Sequence, residues 1–213
     1  MSFQAIFLDA APKSVDSGTP KSLVGDFLIH NVKDFQQPNS ILVSNRPSSE
    51  LRDIESSHGI TIVKPQGPTR GALATAMLTV DFMSANSPIV LIPTNSHLEK
   101  DVFFAFLEQM IRADYSAGTM CVRSNNPRFS YIRVHDGKVI EVIEKKVVGD
   151  LATTGIFFFR TRDILIESAK WAFVNNQTTN SSFYIAPCLN YAISKGLDIG
   201  YHEAEDKDYV HAN

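Results

Sequence analysis

Short apolar runs alternate with helix-like stretches through residues 1–120, and this alternation limits the possible folds more than any other feature of the sequence. Runs that predict buried strands occupy residues 3–8, 41–45, 60–63 and 89–92. Helices are predicted over residues 47–57, from near Thr69, and around the amphipathic stretch of residues 102–111. Because such alternation is typical of right-handed βαβ units, we predict an α/β, Rossmann-like fold with a mostly parallel sheet and helices on both faces.

The second half of the chain predicts antiparallel strands added to that sheet. Asp136-Gly137 lies between two apolar runs and is a strong signal for a two-residue hairpin, since both turn positions need a positive φ. Residues 156–159 follow as a buried strand. Thr161 is predicted to cap a helix over residues 162–174, and a last helix is predicted to begin near Tyr184 and to end at Gly196.

Composition narrows the class of protein. The chain has 213 residues, of which 44% are hydrophobic and 20% charged, as expected for one globular domain over residues 1–213. A net charge of -3 gives no basic field for nucleic acid or an anionic membrane. No signal peptide or long apolar run is found, so we expect a cytoplasmic protein. Cys121 and Cys188 match no metal spacing and are predicted to be buried thiols.

Ordered motifs between Asn126 and Pro187 carry a resemblance to a known family. In chain order they are Asn126-Pro127-Arg128-Phe129-Ser130-Tyr131, Asp136-Gly137, Glu144-Lys145, Ala152-Thr153-Thr154-Gly155 and Phe183-Tyr184-Ile185-Ala186-Pro187. This order resembles the sugar-phosphate nucleotidyltransferases, and within them the branch that supplies precursors for capsule and other surface polysaccharides. The resemblance covers residues 60–205 and implies the nucleotide-diphospho-sugar transferase type of fold.

The resemblance also implies where ligands bind. It assigns nucleotide binding to Gln66, Gly71, Ala72 and Asp9. It assigns the sugar phosphate to Glu144, Lys145, Thr154 and Gly155, with Lys146 as a substitute for Lys145. The catalytic cations are expected to be Lys21 and Lys145, and Phe183 and Tyr184 are expected to be core aromatics.

Two departures from the family pattern fall on the phosphate and metal positions. The first loop runs from Ala10 to Pro20, and its single glycine is Gly18. Because glycines are few and Pro12 has no backbone N–H, the loop offers few N–H groups to a phosphate. The metal-binding aspartate expected after the fourth strand is replaced by Asn95 or His97, of which we favour His97. Since Mg²⁺ prefers anionic oxygen, its binding is expected to be weak or lost unless Glu99 or Asp101 substitutes.

Two functions therefore stay open. The first is an enzyme that joins a nucleoside triphosphate to a sugar phosphate, or a similar small phosphate, and releases pyrophosphate. The second is a non-catalytic binding or regulatory relative that keeps the fold and both pockets. A nucleotide-sugar-dependent glycosyltransferase ranks third, and formation of a homo-oligomer is left open.

Overall fold

The computed structural model describes residues 2–9 and 21–211, except for the side chains of residues 21–26, 53, 57 and 58. The strands of this part are β1 (Gln4–Leu8), β2 (Ile41–Val43), β3 (Thr61–Val63), β4 (Ile89–Pro93), β5 (Ser96–Leu98), β6 (Ala117–Arg123), β7 (Tyr131–His135), β8 (Lys138–Ile143), β9 (Leu151–Phe159), β10 (Ile199–Glu203) and β11 (Tyr209–His211). The helices are α1 (Lys21–Phe35), α2 (Ser48–His58), α3 (Ala72–Met77), α4 (Lys100–Arg112), α5 (Arg162–Val174) and α6 (Leu189–Ser194). The predicted phosphate loop of residues 10–20 lies outside the described residues.

A central sheet contains most of these strands in the order β10-β6-β9-β4-β1-β2-β3. β1 pairs in parallel with β2 and β4, and β2 pairs in parallel with β3. β9 runs antiparallel to both of its neighbours, β4 and β6. The β7–β8 hairpin joins β9 through a pairing of β7. The structure therefore confirms the predicted mostly parallel sheet with an added antiparallel hairpin.

Helices cover both faces of the sheet, because successive strand side chains point to opposite sides. In β1, Ile6 and Leu8 belong to the apolar cluster that also contains residues of α3, α5 and α6. Ala5 and Phe7 belong to the other cluster, with residues of α1, α2 and α4. The two-sided core explains why the strands read as continuous apolar runs rather than as alternating patterns.

Two local predictions from the sequence are confirmed. Asp136 and Gly137 have φ values of 47° and 74°, and they connect β7 to β8 as a hairpin turn. The Thr161 side chain accepts a hydrogen bond from the backbone N–H of Ile164 at 3.4 Å, which makes Thr161 the N-cap of α5. Both features depend on neighbours in the sequence and were therefore predictable without the tertiary structure.

The helix predicted from near Thr69 begins three residues later, at Ala72. Gly71 has φ 107° and ψ 174°, which is not a helical conformation. The carbonyl of Arg70 accepts a hydrogen bond from the backbone N–H of Phe183 at 2.7 Å. This contact with a distant segment keeps the end of the loop extended and delays the helix.

The helix predicted from near Tyr184 also begins later. The chain first forms a 3-10 turn over Ala186–Cys188, and α6 starts at Leu189. Phe183 cannot join a helix, because its N–H and C=O both bond to the chain around residue 71. The late start of α6 and the late start of α3 therefore have the same cause.

One helix, α1, and four strands, β5, β6, β10 and β11, were not predicted. α1 covers Lys21–Phe35, where Gly25 and the polar pair His30-Asn31 interrupt the apolar pattern. β5 and β11 have three residues each and pair with one another as an antiparallel two-stranded sheet. Strands this short carry too few residues for a periodic pattern to show.

Cys121 and Cys188 are both buried, as predicted. Burial raises the pKa of each thiol, because an apolar environment disfavours the thiolate. In the part of the chain that the structure describes, no helix is long and apolar enough to cross a lipid bilayer.

Candidate functional site

The carboxyl ends of β1, β2 and β4 meet at one edge of the sheet, which is where open α/β folds bind their ligands. Asp9 directly follows β1 and is only 7% exposed. Its carboxylate accepts hydrogen bonds from Ser44 Oγ at 2.6 Å and from Thr94 Oγ1 at 2.9 Å. Ser44 follows β2 and Thr94 follows β4, so Asp9, predicted to bind nucleotide, ties three strand ends together.

Arg46 completes this cluster and places a positive charge at its outer side. Arg46 Nε donates to Asp9 Oδ2 at 2.7 Å, and Arg46 Nη2 donates to Asp9 Oδ1 at 3.3 Å. The hydrogen bond to Asp9 raises the pKa of Arg46, although burial opposes this effect. The Arg46 side chain is 23% exposed. Sequence analysis gave Arg46 no role, because its partner Asp9 comes from another strand.

The predicted nucleotide loop, residues 66–71, is held at its C-terminal end by backbone hydrogen bonds to Phe183. Gln66 is exposed, and Ala72 is the first residue of α3. A Cβ on Gly71 would overlap the carbonyl oxygen of Phe183 and lie 2.8 Å from its nitrogen. The N–H of Leu73 donates to that carbonyl at 3.1 Å. The close backbone approach predicted for Gly71 is therefore made here to Phe183.

Glu144 and Lys145, predicted to bind the sugar phosphate, directly follow β8. Lys145 has a φ of 53°, a left-handed conformation that is uncommon for a residue with a side chain. Its ammonium donates to the hydroxyl of Tyr184 at 2.5 Å and lies 4.4 Å from the centroid of the Tyr184 ring. Among the described residues, Lys145 has no ion-pair partner. Tyr184, expected to be a core aromatic, is instead half-buried beside this ammonium.

A second contact fixes the strand end that carries Glu144 and Lys145. The Asn190 side chain accepts a hydrogen bond from the Val142 N–H at 2.9 Å and donates to the Val142 carbonyl at 2.8 Å. Asn190 belongs to α6, so this pair of bonds ties the helix to β8 two residues before Glu144. The position of the predicted sugar-phosphate residues is therefore set by α6 as well as by the hairpin.

Burial dominates the electrostatics of Glu144. The carboxylate accepts a hydrogen bond from the Ser130 hydroxyl. Burial raises the pKa of Glu144, while the Ser130 hydrogen bond and the nearby positive charge of Lys145 oppose that rise. The Glu144 carboxyl therefore keeps its proton to a higher pH than an exposed glutamate does.

Glu144→Gln is expected to change how stability depends on pH. A raised folded-state pKa means that Glu144 favours the fold below its ordinary pKa near 4.5, and that this contribution is lost as pH rises through the raised value. The free energy of unfolding of the wild type should therefore fall relative to that of Glu144→Gln as the pH rises from the ordinary pKa of 4.5 through the raised folded-state pKa. Urea unfolding across this range measures the difference, with Glu141→Gln on the same strand as the control, since Glu141 is 43% exposed and pairs with Arg133. A difference that does not change with pH would contradict the assignment.

Thr154 and Gly155, also predicted to meet the sugar, lie inside β9. Thr154 is 3% exposed, and its hydroxyl donates to the Met120 carbonyl at 3.3 Å. Gly155 has a φ of 88°, and a Cβ there would lie 3.1 Å from Pro93 of β4. Both residues support the contact between β9 and its neighbours, and their roles toward a sugar stay predictions. Lys21 is the first residue of α1, and its side chain lies outside the described residues.

Asn95 and His97, the predicted metal positions, both make contacts with protein groups. Asn95 Nδ2 lies 3.3 Å from His211 Nε2 of β11. His97 Nδ1 lies 3.2 Å from Asn31 Oδ1 of α1, and its ring stacks on Phe27 at 6.3 Å. Neither side chain supplies the anionic oxygen that Mg²⁺ prefers.

The described residues do not fit a metal centre. Within residues 2–9 and 21–211, no group of three or more His, Cys, Asp or Glu side chains is placed to hold a metal ion. Asp206, Lys207 and Asp208 form an Asp-x-Asp triplet, which lies in a 3-10 turn before β11. Magnesium binding stays a prediction, and no chemical step below depends on it.

Comparison with solved structures identifies the fold. A nucleoside-diphosphate-sugar pyrophosphorylase from Vibrio cholerae matches with a TM-score of 0.80 over 98% of this chain and 95% of that chain, at 18% sequence identity. The chain has the nucleotidyltransferase fold. At this identity the likeness establishes the architecture and leaves the activity open. No protein-family model matches the chain, and no curated protein matches it in sequence.

Two further structures with the nucleotidyltransferase fold match over most of the chain. One is a candidate glucose-1-phosphate thymidylyltransferase from Bacillus anthracis in complex with sucrose, with a TM-score of 0.71 and 17% identity over 95% of this chain and 87% of that chain. The other is the inositol-1-phosphate CTP transferase from T. maritima, with a TM-score of 0.68 and 13% identity over 95% of this chain and 86% of that chain. These two proteins are named for different nucleotides and different acceptors, so the nucleotidyltransferase fold does not fix either ligand.

Proposed function

We propose that this protein binds a nucleoside triphosphate at residues 66–71 and a sugar phosphate, or a similar small phosphate, beside Lys145, and that it joins the two. A phosphate oxygen of the acceptor attacks the α-phosphorus of the triphosphate, and the bond to the β-phosphate breaks. The products are a nucleotide-activated sugar and pyrophosphate. The names of the structural neighbours support this class of reaction.

One observation carries the proposal: a single segment contacts both predicted half-sites. Phe183 bonds through its backbone to Arg70 and Leu73 at the end of the nucleotide loop. The next residue, Tyr184, contacts the Lys145 ammonium. We expect half-sites that meet on adjacent residues to bring two substrates close to one another, which is the main requirement of phosphoryl-type transfer.

The side chains supply binding and orientation. The Lys145 ammonium offers a compact positive charge for the acceptor phosphate. The carboxylate of Glu144 has a second oxygen for a sugar hydroxyl besides the one that accepts from Ser130. In this arrangement the protein accelerates the reaction by placing the attacking phosphate in line.

A specific observation favours a second candidate, a non-catalytic binding protein. The Asp9 carboxylate already accepts hydrogen bonds from Ser44, Thr94 and Arg46. Asn95 and His97 occupy the positions where an acidic metal ligand is expected, and both contact protein groups. A protein with these contacts keeps the fold and both pockets without handling a metal–triphosphate complex. We favour the enzyme, and a measurement of pyrophosphate release distinguishes the enzyme from the binding protein.

If the proposal holds, the product belongs to the precursors of surface polysaccharides such as capsule, and the cytoplasm is where nucleoside triphosphates are supplied. These two statements follow from the motif resemblance described above. Neither statement depends on which nucleotide and which acceptor the protein binds.

Lys145→Ala should weaken the binding of a sugar phosphate by about 30-fold, because a charge-assisted hydrogen bond contributes roughly 1.5–3 kcal/mol. Nucleotide binding should change little, since residues 66–71 keep their contacts. Isothermal titration calorimetry with glucose 1-phosphate, inositol 1-phosphate, dTTP and CTP measures both effects. Lys146→Ala removes the exposed neighbouring charge and is the matched control. Equal affinity of both variants for every phosphate would place the acceptor elsewhere.

Gln66→Ala tests the nucleotide half-site. Its exposed amide is expected to bond the base, so the variant should bind nucleotide about fivefold more weakly, as for one hydrogen bond of ~1 kcal/mol. The measurement is the nucleotide-dependent rise in the thermal unfolding temperature, which follows ligand affinity by mass action. Should wild type and Gln66→Ala show the same rise, or none with any nucleotide, residue 66 does not read the base.

A further inference from the structure

The sequence predicts Tyr184 to be a core aromatic residue, and the proposed activity gives its side chain no role. Its hydroxyl oxygen accepts a hydrogen bond from the Lys145 ammonium at 2.5 Å. An ammonium has three donors and no acceptor, so the direction of this bond is fixed by chemistry. The phenol proton of Tyr184 must therefore point away from Lys145, toward some other acceptor.

No acceptor for that proton is present among the described residues. Lys145 also keeps two N–H donors without a partner there. Both side chains are half-buried, which leaves the donors open to a ligand from solvent. The Tyr184 O–H and the two remaining N–H groups of Lys145 thus lie beside one positive charge without a protein acceptor, and such a set of donors suits a tetrahedral anion.

The backbone around these donors is held firmly. Phe183, directly before Tyr184, is 6% exposed, and its ring packs edge-on against Phe173 of α5 at 4.9 Å. Lys145 is held by β8, which the Asn190 side chain clamps at Val142. Lys145 also keeps its left-handed backbone conformation, a strained state of the kind that is retained at functional sites. The backbone that carries both donors is therefore held by contacts within the protein.

We propose that Tyr184 is a binding residue that donates its phenol proton to the phosphate group of the acceptor, together with the Lys145 ammonium. This rests on the proposed function for the presence of a phosphorylated acceptor. The ligand class is a phosphomonoester, and the Lys145–Tyr184 pair forms its anion site. Removal of the hydroxyl removes one donor and also frees the ammonium from its fixed direction.

Tyr184→Phe tests this, because it keeps the aromatic ring beside Lys145 and removes only the hydroxyl. We expect inorganic phosphate and glucose 1-phosphate to bind about 10-fold more weakly, as for the loss of a hydrogen bond to a charged group. Nucleotide affinity in the same preparation should stay within about twofold, because Tyr184 does not touch residues 66–71. Calorimetry on the full chain measures all three ligands.

Tyr191→Phe is the matched control. Tyr191 lies on α6 beside another lysine, Lys195, with the ammonium 5.4 Å from its ring, and its ring packs 6.1 Å from that of Trp171 on α5. If Tyr184→Phe and Tyr191→Phe bind inorganic phosphate equally well, Tyr184 is not a ligand contact. Wild-type protein that binds nucleotide but neither phosphate nor glucose 1-phosphate would overturn this inference alone. Wild-type protein that binds no nucleotide would count against the proposed function itself.

A second measurement applies if Tyr184→Phe lowers the unfolding temperature. Titration of the wild type with inorganic phosphate should shift the aromatic NMR signals of Tyr184 and leave those of Tyr191 unchanged. A shift of both or of neither would contradict the proposed contact.

Discussion

Gly71→Ala is expected to lower the free energy of unfolding by about 3 kcal/mol, because it adds both backbone strain and a clash. Gly71 has a φ of 107°, where a residue with a side chain is strained regardless of the space around it. The new Cβ would also overlap the carbonyl oxygen of Phe183, which is backbone and cannot rotate away. The variant must therefore separate Phe183 from the nucleotide loop or unfold.

The same substitution should weaken the binding of sugar phosphates, since a shift of Phe183 moves Tyr184 away from Lys145. Gly67→Ala is the matched control: it lies in the same loop, and a Cβ there meets no atom within 4 Å. Urea unfolding followed by fluorescence gives the stability of both variants, and calorimetry with glucose 1-phosphate gives the affinity. Gly71→Ala with the stability of Gly67→Ala would mean that the contact to Phe183 is not as close as described.

Asp9→Ala is expected to cost about 3 kcal/mol as well, because it leaves the buried hydroxyls of Ser44 and Thr94 without their acceptor and removes the main ion-pair partner of Arg46. Asp9 is 7% exposed, and its loss would strip hydrogen bonds from Ser44, Thr94 and Arg46 at once. The ends of β1, β2 and β4 would lose their shared anchor. Thermal and urea unfolding of the variant measure this cost.

Asp198→Ala provides the comparison for an exposed ion pair. Asp198 accepts from Lys138 at 2.6 Å, and both side chains are more than half exposed. Solvent screens such a pair, so little change in stability is expected. If Asp9→Ala is as well tolerated as Asp198→Ala, Asp9 does not anchor the strand ends and is free to serve a ligand, as the sequence first suggested.

The fold was largely predictable because its signals are local. Asp136-Gly137 needs two adjacent positive φ values, and Thr161 caps the helix that begins at the next residue. The strand-helix alternation likewise uses neighbouring residues, and it led to the correct sheet type. α1 was not predicted, because Asn31, a buried polar residue, interrupts the apolar pattern of its sequence. Asn31 donates to the carbonyls of Pro93 and Ser96, contacts that no periodic pattern contains.

The candidate site was less predictable because its contacts join distant segments. Arg46 reaches Asp9 across two strands, and Tyr184 reaches Lys145 from the far side of α5 in the sequence. The motif resemblance identified Lys145, but it could not show that Tyr184, from another motif, contacts the Lys145 ammonium. The positive φ of Lys145 is likewise set by the structure around it. A clue was present in the Phe-Tyr pair before Ala186-Pro187, where only one of two adjacent aromatic residues can face a core.

Pyrophosphate release tests the central claim most directly. The wild-type protein is incubated with each of ATP, CTP, GTP, UTP and dTTP, together with glucose 1-phosphate, mannose 1-phosphate, N-acetylglucosamine 1-phosphate or inositol 1-phosphate, in a buffer that contains magnesium chloride. We predict that at least one pair releases pyrophosphate faster than either ligand alone, and that Lys145→Ala slows this release while Lys146→Ala does not. Binding of both ligands without pyrophosphate release from any pair would contradict the enzyme and identify the chain as a binding protein with the nucleotidyltransferase fold.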